Sequence, residues 1–254
     1  MSAPPARADS TEAAVIWHDA ECGGYDVDLA LWERLAERAD DRVLELGSGT
    51  GRVTLHLAAR GHTVVGVEHD SALAMAARER ATARGLSVQI VEQEIEGLEL
   101  ELRFDLIIAP MQVIQLLDGP GARIRAMRAA AAHLTPAGTL AVAIVEGASD
   151  DIVGAGTDAV PDVREHDGWV FSSLPIEVAA RGRNLVVRRL RQVVAPSGEL
   201  SESIDVTALC IVDREQLEAE AARAGLRVAG RTEIAATDLH VGSTVLLFEH
   251  GRQG

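Results

Sequence analysis

The sequence predicts an α/β fold: a doubly wound, mostly parallel sheet of seven strands, together with an inserted antiparallel β meander. In the first 146 residues, short apolar runs alternate with helical segments, and each run is apolar throughout. Runs of this kind are typical of parallel strands that helices cover on both faces. Residues 169–212 contain β-like runs separated by short turns, and these predict the meander. One more helix and two strands follow it.

The elements of the first half are placed by apolar runs and by residues that begin or end helices. Asp70 and Ser71 are capping residue types, and Gly61 and Gly85 stand where helix C-caps are expected. In chain order we predict a helix over 26–39, a strand over 42–47, a helix over 51–60, a strand over 63–68, a helix from 71 to about 85, strands over 87–91 and 104–109, a helix over 121–134 and a strand over 139–145.

The elements of the second half are placed mainly by turns. Residues 147–168 are rich in Gly, Asp and Ala and are predicted to form a mobile loop. Asp213 and Gln216 have the spacing of a capping box and predict a helix start. The predicted segments are strands over 169–173, 176–179, 185–194 and 204–212, a helix over 213–224, and strands over 226–234 and 243–249.

These elements divide the chain into four predicted parts. Residues 1–12, rich in Ala, Pro and Ser, are expected to be disordered. Residues 13–146 are predicted to form the α/β core, and residues 147–210 the loop and the inserted β lid. Residues 211–254 are expected to complete the core sheet. A length of 254 residues suits one α/β domain with such an insertion.

Composition narrows the function classes. All 24 basic residues are arginine, and the formal net charge is −15. A chain this acidic repels phosphate backbones and anionic membrane surfaces, so we expect no nucleic-acid or membrane partner. Cys22 and Cys210 lie far apart, lack metal-ligand spacing and are expected to stay reduced. With no apolar run long enough to span a membrane and no signal peptide, the predicted location is cytoplasmic.

The most informative motif is a glycine turn that follows the first predicted strand. In the run Val43–Val53, glycines stand at positions 47, 49 and 51, giving G-x-G-x-G. Such a turn lets the backbone approach a ligand closely, and the following helix N-terminus offers free N–H groups. Glu68 ends the next strand, 21 positions after Gly47, where α/β nucleotide sites keep a carboxylate for ribose hydroxyls.

This pattern resembles motif I of the class I S-adenosylmethionine (SAM) methyltransferases. The resemblance covers residues 14–146 well and the last helix and strands more loosely, and it implies a Rossmann-like core whose last strand is antiparallel. It also implies SAM as the cofactor and S-adenosylhomocysteine as the product. The residues that it assigns to cofactor binding are Glu45, Gly47, Ser48, Gly49, Gly51, Glu68, His69, Glu94, Ile95, Pro110 and Met111.

Within this resemblance, each acid has an implied role. Glu45 would contact the methionine end of the cofactor, and Glu68 would accept both ribose hydroxyls. His69 would flank the adenine, Glu94 would accept from its amino group, and Ile95 would cover the ring. The family more often has Asp at the position of Glu94. Pro110 and Met111 end the strand-4 motif, which faces both cofactor and acceptor.

Residues for the acceptor are expected at the carboxyl ends of strands 4 and 5 and on covering segments. Methyl transfer from a sulfonium is an in-line displacement, so the protein has to align the acceptor and exclude water. The catalytic candidates are Tyr25, Gln112, Glu146 and His240, and no metal is expected. Glu146 could hold a cationic or amine acceptor, and His240 could act as a general base. Arginines of the run 188–191 could enter the pocket or form an exposed basic face.

The predicted function is transfer of a methyl group to an N or O atom of a small molecule. An NAD(P)-dependent oxidoreductase is the first alternative, because a strand, a glycine turn, a helix and an acid also serve that class. The G-x-G-x-G spacing disfavours it. A non-catalytic protein of methyltransferase fold that binds SAM or its product is the second alternative. The sequence also leaves open a homodimer that forms through the meander or the first helix.

Overall fold

The computed structural model describes residues 11–39, 42–146, 159–237 and 240–251. The chain forms two compact units. One unit consists of residues 26–147 and 212–254, and the other of residues 1–25 and 148–211. No helix in the described ranges has the length and apolar character needed to cross a membrane.

Seven helices and eleven strands are described, with a short 3-10 turn at Ile95–Gly97. The helices are α1 (Thr11–Cys22), α2 (Leu29–Ala36), α3 (Arg52–Ala58), α4 (Ser71–Ala83), α5 (Val113–Leu116), α6 (Gly119–His133) and α7 (Arg214–Arg223). The strands are β1 (Arg42–Leu46), β2 (Thr63–Glu68), β3 (Gln89–Glu92), β4 (Phe104–Ala109), β5 (Leu134–Ile144), β6 (Asp162–His166), β7 (Trp169–Arg181), β8 (Asn184–Val194), β9 (Leu200–Cys210), β10 (Leu226–Ile234) and β11 (Ser243–His250).

The larger unit is built on a seven-stranded sheet with the order β10-β11-β5-β4-β1-β2-β3. Strands β1 to β5 pair in parallel, whereas β11 is antiparallel to both β5 and β10. The predicted fold class is therefore confirmed, including the antiparallel last strand. The strand order reverses between β4 and β1, which is where open α/β sheets bind ligands at the carboxyl ends of their strands.

The core of this unit is aliphatic, because the chain has few aromatic residues to bury. Strands β1 and β4 are buried almost throughout and β5 over its carboxyl half, and side chains of all three join one cluster that includes Phe104 and Phe248. The buried face of α4 consists of alanines, and alanines make up much of that of α6. Small side chains let these helices lie close to the sheet, where packing density decides stability.

Side-chain caps fix the starts of two helices, as the sequence predicts. Asp70 Oδ1 accepts from the N–H groups of Ala72 and Leu73, at 2.8 and 3.2 Å. Asp213 Oδ1 accepts from the N–H group of Gln216 at 2.8 Å. Each cap satisfies backbone donors that would otherwise lack a partner and contributes about 1 kcal/mol.

The smaller unit is a meander of four antiparallel strands in the order β6-β7-β8-β9, with α1 against it. Trp17 of α1 meets Phe171 of β7 edge to face, with ring centroids 5.3 Å apart. Arg191 of β8 donates two hydrogen bonds to the carboxylate of Glu21 at 2.8 and 3.0 Å, and its guanidinium lies 5.0 Å from the Trp17 ring centroid. These contacts hold the helix on one face of the sheet.

Three boundaries differ from the prediction. Residues 13–25, which the sequence assigned to the α/β core, belong to the smaller unit, because α1 packs on β6 and β7. Strand β6 lies inside the predicted loop 147–168, and α1 begins at Thr11, inside the predicted disordered N-terminus. The rest of those two predictions, residues 1–10 and 147–158, falls outside the described residues.

Candidate functional site

The glycine turn between β1 and α3 forms the floor of the candidate site. Gly47, Gly49 and Gly51 have φ angles of +67°, +54° and +92°, in the left-handed region that favours glycine. At Gly47 space is limiting as well, because an added Cβ would lie 2.7 Å from the Cγ2 atom of Val113. The turn is therefore an open backbone cradle that side chains at these positions would fill or strain.

Glu68 ties the end of β2 to this turn. Its Oε2 atom accepts from the N–H group of Gly49 at 2.8 Å, and its Oε1 atom accepts from the N–H group of Asp70 at 2.9 Å. His69 Nδ1 lies 3.1 Å from the same Oε1 atom, although the His69 side chain is 66% exposed. Each carboxylate oxygen offers two acceptor positions, so the backbone orients Glu68 and leaves acceptor capacity for a ligand.

Glu45 on β1 is buried under the turn. The hydroxyl of Thr54 on α3 donates a hydrogen bond to Glu45 Oε2. Burial raises the pKa of Glu45 to about 8, although the Thr54 hydrogen bond and the charge of Arg52 oppose the rise. At neutral pH the unliganded carboxyl is therefore largely protonated, and a cation placed beside it would favour its ionised form.

An ion pair between Arg52 and Asp28 connects the turn to α2. The sequence did not predict this pair. Arg52 donates to both oxygens of the buried Asp28 carboxylate at 2.6 and 2.7 Å, and the Trp32 indole donates to Asp28 at 2.8 Å. Asp28 directly precedes α2 and Arg52 begins α3, so the pair joins two helix N-termini. Opposite charges 24 positions apart are too common in a sequence for this pair to be singled out.

The carboxyl end of β3 carries the predicted adenine residues. Glu94 is exposed and precedes the 3-10 turn, whereas Ile95 is buried in the main core cluster. The N–H group of Gln93 donates to the carbonyl of Glu68 at 3.1 Å, which holds this segment against the end of β2. Glu94 and Ile95 thus follow the strand next to Glu68, as the sequence prediction requires.

The carboxyl end of β4 lies against the glycine turn. Pro110 is buried, Met111 is half-buried, and Gln112 precedes α5. Met111 has a φ of +53°, a left-handed conformation that costs a non-glycine residue about 1–2 kcal/mol. Such strain is concentrated at functional sites, and here it lies between β4 and the Val113 side chain that touches Gly47.

The carboxyl end of β5 carries two polar side chains with different surroundings. Gln115 of α5 is buried and pairs with the backbone of Val145 in both directions, at 3.1 and 2.8 Å. Its amide therefore holds the end of β5. Glu146 is half-buried, and its Oε1 atom is buried without a hydrogen-bond partner among the described residues.

The loop before β11 brings His240 to the same edge of the sheet. Thr244 of β11 pairs with Ile144, the last residue of β5, so this loop ends beside Glu146. His240 is half-buried, and its N–H group donates to the Thr237 hydroxyl at 3.0 Å. Tyr25, the remaining catalytic candidate, is buried and belongs to the smaller unit.

The arginines of the run 188–191 are paired with acids of their own unit. Arg188 pairs with Glu177 at 2.9 Å, and Arg189 pairs with Asp162 at 2.9 Å. Arg191 pairs with Asp205 at 2.8 Å in addition to Glu21. These contacts stabilise the meander and its helix. Within the described ranges, no group of His, Cys, Asp and Glu side chains could hold a metal ion.

Comparisons with known proteins agree with this geometry. Residues 43–138 match the family described as "Methyltransferase domain". A curated relative, protein-L-isoaspartate O-methyltransferase from Methylorubrum populi, is 45% identical over 66 residues, which are 26% of this chain and 31% of that protein. The chain therefore spans about a third of the length of this curated relative.

Solved structures resemble the chain over nearly its whole length. An S-adenosylmethionine-dependent methyltransferase from Clostridium acetobutylicum has a TM-score of 0.73 at 14% identity, over 95% of this chain and 98% of that one. The sugar N-methyltransferase KedS8 from a Streptoalloteichus species has a TM-score of 0.72 at 19% identity, over 97% of this chain and 90% of that one. The resemblance to class I methyltransferases is thus confirmed, by the family match over 43–138 and by the fold over the rest.

Proposed function

We propose that this chain, with a methyltransferase domain over residues 43–138, uses S-adenosylmethionine to methylate an N or O atom of a small molecule. The observation that carries the proposal is the hydrogen bond from the Gly49 N–H group to Glu68. It joins the two halves of the motif, the glycine turn and the acid of the next strand, into one surface.

The ribose end of the cofactor fits the Glu68 carboxylate. Oε2 accepts one backbone N–H group and keeps a further acceptor position for a hydroxyl, whereas Oε1 accepts from Asp70 and also lies 3.1 Å from His69 Nδ1. The backbone donors also keep the carboxylate from rotating, so it is pre-oriented before a ligand arrives. Glu94 and Ile95 follow the neighbouring strand and are the residues proposed to meet the adenine, with His69 beside Glu68.

The methionine end fits the surroundings of Glu45. The ammonium group of the ligand would supply the cation that this buried carboxyl lacks, and binding would draw off its proton. Gly47 and Gly49 leave room for the ligand chain, and Pro110 and Met111 would close its other side. When bound, S-adenosylmethionine supplies a methyl group on a sulfonium, and the departing thioether requires no acid.

A small acceptor is supported by the chain and by its structural neighbours. KedS8 is a sugar N-methyltransferase, and its structure resembles 97% of this chain. The net charge of −15 disfavours a nucleic-acid substrate. Gln112, Glu146 and His240 belong to the larger unit, near the carboxyl ends of β4 and β5, and are the residues proposed to meet the acceptor. Tyr25 stays a catalytic candidate from the sequence alone.

The cofactor assignment is tested by calorimetric titration with S-adenosylhomocysteine, with NADH and NADPH as parallel ligands. We expect micromolar binding of S-adenosylhomocysteine and no heat from either nicotinamide. Binding of a nicotinamide alone would assign the turn to an oxidoreductase. If S-adenosylhomocysteine binds but methyl transfer fails across a broad acceptor panel, the chain is a binding protein of methyltransferase fold.

The ribose site is tested by the substitution Glu68→Ala. Loss of the acceptor for two hydroxyls should weaken S-adenosylhomocysteine binding by about 1–3 kcal/mol. Glu92→Ala is the matched control, because Glu92 is an exposed acid at the end of the adjacent strand β3. Unchanged affinity in a folded Glu68→Ala variant, or an equal loss of affinity in the control, would show that Glu68 does not bind the ribose.

A further inference from the structure

Glu146, a half-buried acid, differs from the buried Glu45 and Glu68 at this edge of the sheet. The carboxyl of Glu45 is bonded by Thr54, and that of Glu68 by two backbone N–H groups. Glu146 Oε1 is buried but has no hydrogen-bond partner among the described residues. Buried polar atoms are nearly always bonded, so this oxygen requires a partner, and a ligand group at the carboxyl end of β5 is one that would complete it.

The sheet topology fixes the distance between Glu146 and the cofactor residues. Strands β1 and β5 are separated by β4 alone, and neighbouring strands lie about 4.8 Å apart. The end of β5 is therefore about 10 Å from the glycine turn after β1. This spacing leaves room for one small group between Glu146 and a methyl donor seated on the turn.

We propose that Glu146 binds the nitrogen of the methyl acceptor, and that the acceptor is a primary or secondary amine on a small molecule. This inference rests on the proposed methyltransferase function. An amine in water is mostly cationic, and a carboxylate hydrogen-bonded to a cationic N–H group forms one of the stronger contacts available to a protein. A hydroxyl acceptor would leave the negative charge of Glu146 without a counter-charge.

The chemical step balances with water as the proton acceptor. The bound ammonium first releases one proton to water, which frees the nitrogen lone pair while Glu146 still accepts a hydrogen bond from a remaining N–H. The lone pair then forms the N–CH₃ bond as the C–S bond breaks, and that electron pair stays on sulfur. The positive charge moves from sulfur to nitrogen, so the carboxylate of Glu146 stabilises the charge that develops.

The preference for nitrogen can be measured without knowing the natural acceptor. Two derivatives of S-adenosylhomocysteine serve as probes, in which nitrogen replaces sulfur and carries either a 2-aminoethyl or a 2-hydroxyethyl arm. In the wild-type protein we expect the aminoethyl probe to bind at least tenfold more tightly. In Glu146→Gln, which keeps the shape but removes the charge, the preference should fall to about twofold or less.

The controls separate this inference from the cofactor assignment. Glu92→Gln removes one negative charge from the same sheet edge and should retain the full preference. S-adenosylhomocysteine itself should bind wild type and Glu146→Gln equally, which also reports that the variant folds. If that variant fails to fold, Glu146→Asp should keep a preference for the amine.

Two results would overturn the inference. One is equal binding of both probes by the wild-type protein, and the other is an amine preference that persists in Glu146→Gln. If S-adenosylhomocysteine does not bind the wild-type protein, the proposed methyltransferase function itself is wrong. This result differs from the two above, which contradict only the role of Glu146.

Discussion

At the scale of single residues, burial decides the charge of the acid beneath the glycine turn. Glu45 is held by Thr54, while the nearby guanidinium of Arg52 is engaged with Asp28. Desolvation of Glu45 therefore outweighs the nearby positive charge, and its pKa rises from 4.5 to about 8. A carboxyl with this pKa is largely protonated at neutral pH, and a cation placed beside it would favour its ionised form.

The raised pKa predicts a stability profile that falls with pH. The folded protein keeps a proton on Glu45 that the unfolded chain releases above its pKa of 4.5, so the free energy of unfolding decreases as pH rises from about 4.5 to about 8 and then levels off. At about 1.4 kcal/mol per tenfold change in the proton equilibrium, the loss is on the order of 5 kcal/mol.

Urea denaturation of wild type and Glu45→Gln across this pH range measures the effect. Glu45→Gln lacks the titrating group. The difference in unfolding free energy between the two proteins should therefore change with pH as the titration of Glu45 predicts. A difference that stays constant from pH 5 to 8 would mean that Glu45 ionises in the folded protein as it does in water.

At this scale the sequence predicts residue identities better than contacts. The spacing of Glu45, Glu68 and the glycines predicts that they belong to one strand-turn-helix-strand unit, and the structure joins Glu68 to the turn through the N–H group of Gly49. The partners of Asp28 and Glu45 were not found, because Arg52 and Thr54 reach them only after α2 and α3 have packed. The buried Oε1 atom of Glu146, which has no partner within the described part of the chain, likewise depends on burial, and burial has no sequence pattern.

At the scale of elements, a buried ion pair joins α6 to α7. Arg123 donates to both oxygens of Glu220 at 2.7 Å, and Gln216 donates to Glu220 at 2.9 Å. Both charged side chains are almost fully buried. Removing one partner of such a pair costs about 3–5 kcal/mol, because the other charge stays buried without its counter-charge.

We therefore expect Arg123→Met to lower the free energy of unfolding by about 3–5 kcal/mol, and the further change Glu220→Leu to restore most of it. Arg125→Met is the matched control, since Arg125 lies on the same helix but pairs with Glu96 in solvent. Arg125→Met should lower the free energy of unfolding by less than about 1 kcal/mol. Equal losses for Arg123→Met and Arg125→Met in urea denaturation would contradict this account.

Elements with strong local signals were predicted well, and those that depend on distant partners were not. Strands β2, β4 and β10 agree with their predicted ranges, because apolar runs and flanking glycines define them. Helix α1 was not predicted, since its apolar residues matter only against strands some 150 positions later. Strand β6 contains a single apolar residue and lies at a sheet edge, so it resembles a loop.

At the scale of the whole molecule, the net charge of −15 opposes the compact state. Surface ion pairs such as Arg188 with Glu177 offset little of this, because solvent screens exposed charges and ordering two long side chains costs entropy. Added salt screens the repulsion between excess acids over distances beyond about 10 Å. Ionic strength should therefore stabilise this protein.

Raising the NaCl concentration from about 0.05 to about 0.5 M shortens the distance over which surface charges repel each other. The thermal midpoint should therefore rise by about 2–4 °C, which corresponds to roughly 1 kcal/mol for a chain of this size. Differential scanning calorimetry measures it directly. Sodium sulfate at equal ionic strength distinguishes screening from surface exclusion, which adds a larger effect. A midpoint that falls with salt would show that the ion pairs of the folded state outweigh the repulsion.

The smaller unit combines the two ends of a long stretch of chain. Glu21 and Arg191, which bind each other, are 170 positions apart. Ribosomes add roughly 5–20 residues per second, so α1 emerges roughly ten seconds or more before its strand partners exist. During synthesis the apolar side of this helix, with Ile16 and Trp17, has nothing of its own unit to cover it. The ion pair that joins this helix to β8 can form only after residue 191 has been translated.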